Sequence, residues 1–300
     1  MGDPWPDYEI LRNLGKGGSG IVDEVMLAGK ARRKLALKTV SWDGKGNIDV
    51  MKSRALKEMA ILKKLRHPCL PKLYGFKTTP NDAQILMTQG ECGDLQQLQG
   101  VDGGLGLDEM QIKLCTAEVL LALEALHANG IVYADMKPEN VLMRPCGHVM
   151  LCDFDMSLLK SDLEKIRMSK ELSVQAETRC VGTLEFCAPE VITGGMLGYS
   201  EASDFWGLGV LVYELASGRN PFSGHSAEQT INKILSFTPR LGESIDCSRD
   251  MASFVNGLLR HNPEHRLGAL GVDAIKGHAW FSDFDWDRHL RELMKCDMAD

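Results

Sequence analysis

The 300-residue sequence has no apolar run long enough for a membrane span and no charged leader followed by an apolar stretch. After Met1-Gly2 it also has no Ser or Thr at position 6 to complete a myristoylation signal. These absences predict a soluble intracellular chain, cytoplasmic or nuclear, without a membrane span. Basic residues are not in excess either. A net charge of −7 argues against a nucleic-acid or anionic-membrane binder, because such proteins need a basic face to displace counterions. The one short basic cluster, Lys30-Ala31-Arg32-Arg33-Lys34, lies between two strand-like stretches and reads as a solvated edge. None of the nine cysteines falls in a C-x-x-C…C-x-x-C pattern, which excludes a zinc site of that spacing. An odd number of cysteines cannot all pair, so a reducing compartment is expected. Repeats and low-complexity tracts are missing, while apolar and charged fractions of 44% and 25% are those of an ordinary globular chain able to bury a substantial core.

Periodicity divides the chain into a strand-rich beginning and a helical remainder. Tyr8 to Leu14 and Ile21 to Leu27 read as strands around a glycine turn, and Lys34 to Val40 reads as a third, with Ala36, Lys38 and Val40 on one face by the period of two. Val50 to Leu65 reads as a helix that stops before His67-Pro68. On it Glu58 shares a face with Ala55, Leu62 and Leu65. A carboxylate in an apolar stripe needs a cation, and Lys38 is the candidate. Ala83 to Thr88 reads as a strand leading into Gln89-Gly90-Glu91-Cys92-Gly93-Asp94, a hinge. Beyond it, Leu107 to Asn129 and Ser203 to Ser217 are the clearest helices, and the second is apolar nearly all round, the mark of a buried helix.

The chemistry is concentrated in Tyr133-Ala134-Asp135-Met136-Lys137-Pro138-Glu139-Asn140 and Asp153-Phe154-Asp155. A base, a lysine beside it and two oxygen ligands for a cation are parts that phosphoryl transfer requires, since that reaction leaves a protein mainly positioning and charge neutralisation to perform. Alone, such a loop could be any polar turn. Order decides: Leu14-Gly15-Lys16-Gly17-Gly18-Ser19-Gly20-Ile21-Val22 is followed by Leu35-Ala36-Leu37-Lys38, then Glu58, Asp135, Asn140, Asp153 and Ala188-Pro189-Glu190. In that order and spacing the chain resembles the eukaryotic protein kinases. It meets the H-R-D-L-K-P-E-N pattern at the Asp, Lys, Pro, Glu and Asn and the D-F-G pattern at the Asp and Phe, and the departures that matter are Ala134 and Asp155.

The resemblance implies an α+β, bilobal fold: an ATP-binding N-lobe over residues 8–88, with an antiparallel sheet and one helix, and a mainly helical C-lobe over 89–300 carrying the catalytic loop and the peptide site. It also implies ATP and Mg2+ as cofactors and a protein Ser/Thr hydroxyl as acceptor. The glycines Gly15, Gly17, Gly18 and Gly20, with Lys16 and the polar tip Ser19, would let backbone amides approach phosphates. Lys38 would meet the α- and β-phosphates, oriented by Glu58. Asp135 would guide the substrate proton, Lys137 would steady the γ-phosphate, and Asn140 with Asp153 would hold magnesium. The nucleotide would lie between Val22 and Ala36 above and Leu142 below, its edge at Thr88 to Gly90, with Met87 as gatekeeper and Asp94 at the rim. The resemblance further stacks Leu62, Leu73, Tyr133 and Phe154 into a column between the lobes, makes Asp204 the anchor of the catalytic loop, and pairs Glu190 with Arg266.

Val181-Gly182-Thr183-Leu184-Glu185-Phe186-Cys187-Ala188-Pro189-Glu190, Asn262-Pro263-Glu264-His265-Arg266-Leu267-Gly268 and His278-Ala279-Trp280-Phe281 look like the AGC group of serine/threonine kinases, and Asp155 is similar to its D-F-D subgroup. That group's tail with its aromatic motif is absent from the 300 residues, as in a catalytic domain alone or a lineage without the tail. Asp94, Glu139 and Glu214 fall where basophilic members place acids, which implies Arg or Lys upstream of the acceptor. Ala134 replaces the arginine that receives an activation-segment phosphate, and Arg179 takes the phosphoacceptor position beside Thr178, so activity is expected without phosphorylation there. Asp155 in place of glycine is expected to favour the inward state of its motif. A scaffold retaining nucleotide binding stays as an alternative. A dinucleotide-binding fold does not, because a second strand follows the glycine run instead of a helix.

Overall fold

The structure is a computed structural model that describes residues 5–18, 20–28, 33–42, 47–98, 107–168 and 181–299. Five antiparallel strands form the first layer: β1 (Tyr8–Gly17), β2 (Gly20–Leu27), β3 (Lys34–Ser41), β4 (Leu73–Thr78) and β5 (Asp82–Met87), in the order β1-β2-β3-β5-β4. The first strand runs on to Gly17, beyond the expected stop at Leu14, because its last residues pair with Val22, Ile21 and Gly20 across the turn. Gly20 makes the closure possible at φ +129°. A Cβ there would lie 2.5 Å from the carbonyl oxygen of Thr39, so no other residue fits without a shift.

Helix α1 (Ile48–Lys64) starts two residues earlier than expected, where the Asn47 side chain accepts from the Asp49 and Val50 amides. Its buried positions Ala55, Glu58, Ile61 and Leu62 face the sheet, so Glu58 does share the apolar stripe. Arg33 departs from the solvated-edge reading of the basic cluster: it donates to the Tyr74 hydroxyl at 2.6 Å and lies over that ring. Lys34 pairs with Glu24 at 3.3 Å, while Lys30 to Arg32 and the Ser19, Thr178 and Arg179 positions lie outside the described residues.

The helical part is organised by α2 (Glu109–Ala128), whose N-cap Asp108 forms a capping box with Gln111, and by the helix Glu201–Ser217. The latter is buried without interruption from Ser203 to Leu215, as its all-round apolar pattern predicts. One apolar cluster runs from Ala36, Leu62 and Ile85 through Leu126, Tyr133 and Phe154 into Phe205, Trp206 and Phe254, so sheet and helices share a core. Leu62, Tyr133 and Phe154 belong to this cluster and Leu73 packs against it; of the four residues expected as a column, Tyr133 and Phe154 meet edge to face at 5.9 Å. Two short hairpin strands, β6 (Val141–Met143) and β7 (Val149–Leu151), carry the floor of the cleft. Among the described residues, no helix is long and apolar enough to cross a membrane.

Candidate active site

A cleft of 810 Å³ separates sheet and helices, within the size range of small-molecule sites. Of the expected nucleotide residues, Gly15, Lys16, Gly17, Gly20, Val22, Ala36, Lys38, Met87, Thr88, Gly90, Asp94 and Leu142 line it, together with Glu58, Asn140 and Asp153. Gly18 lies at the turn but does not line the cleft. A Cβ added to Gly15, Gly17 or Gly18 would meet nothing, so this roof is open to a ligand. At the hinge the reverse holds: a Cβ on Gly90 would come within 2.5 Å of the Leu142 side chain, which brings backbone and floor close together. The Thr88 amide is already engaged by Lys72 O at 3.0 Å, holding the hinge to the approach of β4.

Lys38 is placed by register. It stands opposite Val22 on β2 and Ile85 on β5, and its side chain, 3% exposed, reaches down into the cleft. Nζ donates to Glu58 at 2.7 Å and to Asp153 at 2.8 Å. Burial opposes its charge, but the two carboxylates outweigh burial and hold the ammonium well above the usual lysine range. Glu58 is fully buried, and desolvation pushes its carboxyl up against the pull of Lys38 and with the repulsion of Asp153. The bridge is thus one cation shared by two acids, with Lys38 firmly charged.

The catalytic loop hangs from Asp204, in the first turn of the helix Glu201–Ser217. Its carboxylate accepts from the Tyr133 amide at 2.8 Å, the Ala134 amide at 2.9 Å and His127 Nε2 at 2.7 Å. These bonds hold Ala134 at φ +67°, a left-handed conformation that costs an L-residue about 1–2 kcal/mol. Asp135, 4% exposed, then receives Lys137 Nζ at 2.7 Å and Asn140 Nδ2 at 3.0 Å on one oxygen, and the Thr183 amide at 3.1 Å on the other. Lys137 is held above its ordinary range because Asp135, Asp153 and Glu139 together outweigh its partial burial. Asn140 directs its amide hydrogens at the carbonyl and the carboxylate of Asp135, leaving Oδ1 as the oxygen available to a cation. Asp153 stands at φ +58°, tolerable for aspartate, and so faces Lys38. The loop and the later segment are in close contact: a Cβ on Gly182, at φ +87°, would lie 2.4 Å from the Ala134 carbonyl oxygen.

Phe154 is 1% exposed and Asp155 7%, so the motif lies inward, with no positive φ at Asp155. Glu190 and Arg266 form a two-pronged pair at 2.7 and 2.9 Å, and the Arg266 side chain is completely buried. Of the three acids expected at a basic-peptide site, Glu139 is exposed, Asp94 accepts from the amide and side chain of Gln97, and Glu214 is buried against Asn220. Sequence reasoning missed one buried link. Gln89 of the hinge donates to Glu24 of β2 at 2.9 Å, and that bond, ahead of Arg12 and Lys34, holds the Glu24 carboxyl low. No local pattern signals a pairing across so many residues.

The protein kinase domain model matches residues 8–281. Relatives include the serine/threonine-protein kinase WAG2 of Arabidopsis thaliana, 35% identical over 94% of this chain and 67% of its own length. The serine/threonine-protein kinase SCH9 of Candida albicans is 37% identical over 94% of this chain and 34% of its own. The human ribosomal protein S6 kinase alpha-6 is 34% identical over 95% and 36%. The chain therefore spans about two thirds of the first relative and about a third of the other two. With the match running across both lobes and through the cleft residues, the chain belongs to the protein kinase family and, within it, to the ATP-binding transferases of the serine/threonine type.

Proposed function

We propose that this chain transfers the γ-phosphoryl group of ATP, with Mg2+, to Ser or Thr hydroxyls of protein substrates, as a D-F-D member of the AGC group. The observation that carries the reading is Lys38 held between Glu58 and Asp153 in the cleft, with Asp135 and Asn140 bonded to one another within the loop below it. ATP and Mg2+ fit these residues: the glycine roof is open, Lys38 is a fixed cation, and Asn140 Oδ1 and the Asp153 carboxylate are hard oxygen donors of the type magnesium takes. Bound MgATP supplies the transferable phosphoryl group and the cation that neutralises its charge.

The protein's part is positioning and electrostatics. Lys38 pairs with phosphate oxygens without a search, because Glu58 and the sheet register already fix its rotamer. Asp135 orients the acceptor hydroxyl and takes its proton, its carboxylate aimed by Asn140 and Thr183. Lys137 lies beside Asp135 and steadies the phosphoryl group in transit. Glu139, exposed within the loop, supports a preference for Arg or Lys upstream of the acceptor, with Asp94 and Glu214 at the other positions where the resemblance places such acids.

Two measurements test this reading. Phosphoamino-acid analysis of products is expected to show phosphoserine and phosphothreonine, and mainly phosphotyrosine would overturn the acceptor class. A peptide-library profile is expected to enrich Arg or Lys at the second and third positions before the acceptor, and a flat profile there would reject the basic preference.

A further inference from the structure

The hairpin β6–β7 turns through Cys146-Gly147-His148. The turn is closed by Arg144 N to His148 O at 2.8 Å and Gly147 N to Arg144 O at 2.9 Å, with Gly147 at φ +82°. The C-terminal helix α3 (Trp286–Ala299) crosses this turn and brings Cys296 to it. The two thiols and a ring nitrogen of His148 lie within 4.8 Å of one another. Beneath them sits Glu118 of α2, 2% exposed, which accepts from His148 Nδ1 at 2.7 Å, the Val149 amide at 2.6 Å and His289 Nε2 at 3.0 Å.

We propose that Cys146, His148 and Cys296 form a zinc site that fastens the C-terminal helix to the β6–β7 hairpin. Three features carry it. First, two thiolates and an imidazole are the donors that select a borderline or soft ion, whereas magnesium and calcium take oxygen. Second, tetrahedral zinc with ordinary bond lengths sets its donors about 3.5 to 3.8 Å apart. Donors within 4.8 Å of one another need a closing movement of at most about 1 Å, which an exposed Cys146 on a turn can make by rotation. Third, Glu118 engages Nδ1 of His148 and leaves Nε2 to coordinate, the carboxylate–histidine arrangement that orients metal-bound imidazoles. Water completes the fourth position on the exposed side, and binding releases the two thiol protons. The consequence reaches the cleft, because β6 begins directly after Asn140 and its Met143 amide bonds Gly93 O of the hinge at 2.8 Å.

The test uses the full chain, reduced and stripped of metal under nitrogen, with Co2+ as the optical probe. A single equivalent is expected to give thiolate-to-cobalt charge transfer and the intense visible bands of a tetrahedral ion, bleached by a single equivalent of Zn2+. Cys146→Ser, Cys296→Ser and His148→Asn should each weaken binding by more than the roughly 10- to 100-fold expected for loss of an outer residue, and Glu118→Gln should fall inside that range. Cys92→Ser, at an exposed cysteine outside the cluster, should leave the cobalt spectrum and affinity unchanged. The metal-free melting temperature of Cys146→Ser should match wild type, since that residue is exposed. Zn2+ should also slow proteolysis within α3 in wild type and not in Cys296→Ser. Absence of the thiolate band, or a band of unchanged affinity in Cys146→Ser or Cys296→Ser, would overturn the site.

Discussion

Asp155 follows Asp153 and Phe154 into the interior, and its carboxyl, by burial first and by the neighbouring Asp153 charge second, is pushed up to about 6. The sign of its effect follows from linkage. Between about pH 4 and that value the unfolded chain has lost this proton while the folded chain keeps it, so stability falls as pH rises through the window and the full penalty stands above it. Asp155→Asn is therefore expected to stabilise the protein near neutral pH by about 2–3 kcal/mol, with the gain vanishing below about pH 4. Denaturant unfolding at the two pH values checks this, and an equal difference at both would contradict it. The substitution of Asp for glycine was legible in the sequence and the depth of its burial was not, because that depends on distant groups such as Arg54 and Glu58 of α1, which lie near enough to act on its charge. Ala134 and Asp153 teach the same lesson: their identities stand in the motif, but their left-handed backbones follow from bonds to Asp204 and Lys38.

Among elements, the best-read features were those with one strong period or one strong motif. The register of β3 put Lys38 under the glycine turn, α1 put Glu58 in its stripe, and the buried helix Glu201–Ser217 put Asp204 beneath the loop. Pairs that no period connects, such as Gln89 with Glu24 or Cys146 with Cys296, become visible only when the fold brings distant segments together. The Glu190–Arg266 pair ties the segment after the catalytic loop to the far helices, and Arg266 also donates to the Ala202 and Arg260 carbonyls. Arg266→Ala would strand a carboxylate and several acceptors, with an expected loss of about 3–5 kcal/mol in urea unfolding. A loss under about 1 kcal/mol would show the pair to be dispensable. For the activation segment, Ala134 offers no cation to a phosphate, so phosphatase-treated protein and Thr178→Ala are each expected to keep activity. A fall of more than about tenfold, or 1.4 kcal/mol in the barrier, in folded Thr178→Ala would reject that independence.

At the scale of the whole molecule, two lobes share one core, and Lys38, Glu58 and Asp153 join them electrically across the cleft. That geometry makes the chain an enzyme only if Asp135 does chemistry and is more than a structural acceptor for Lys137, Asn140 and Thr183. Asp135→Asn separates the two roles: the amide keeps the shape and one acceptor oxygen, while the base and the negative charge are gone. The most direct test is phosphate transfer from MgATP to a generic basic protein by wild type and Asp135→Asn side by side, with nucleotide binding measured for both. The account predicts transfer to Ser and Thr by wild type and a loss of at least about 100-fold in the variant, with nucleotide binding retained. No transfer by wild type despite nucleotide binding, or equal transfer by both proteins, would contradict it.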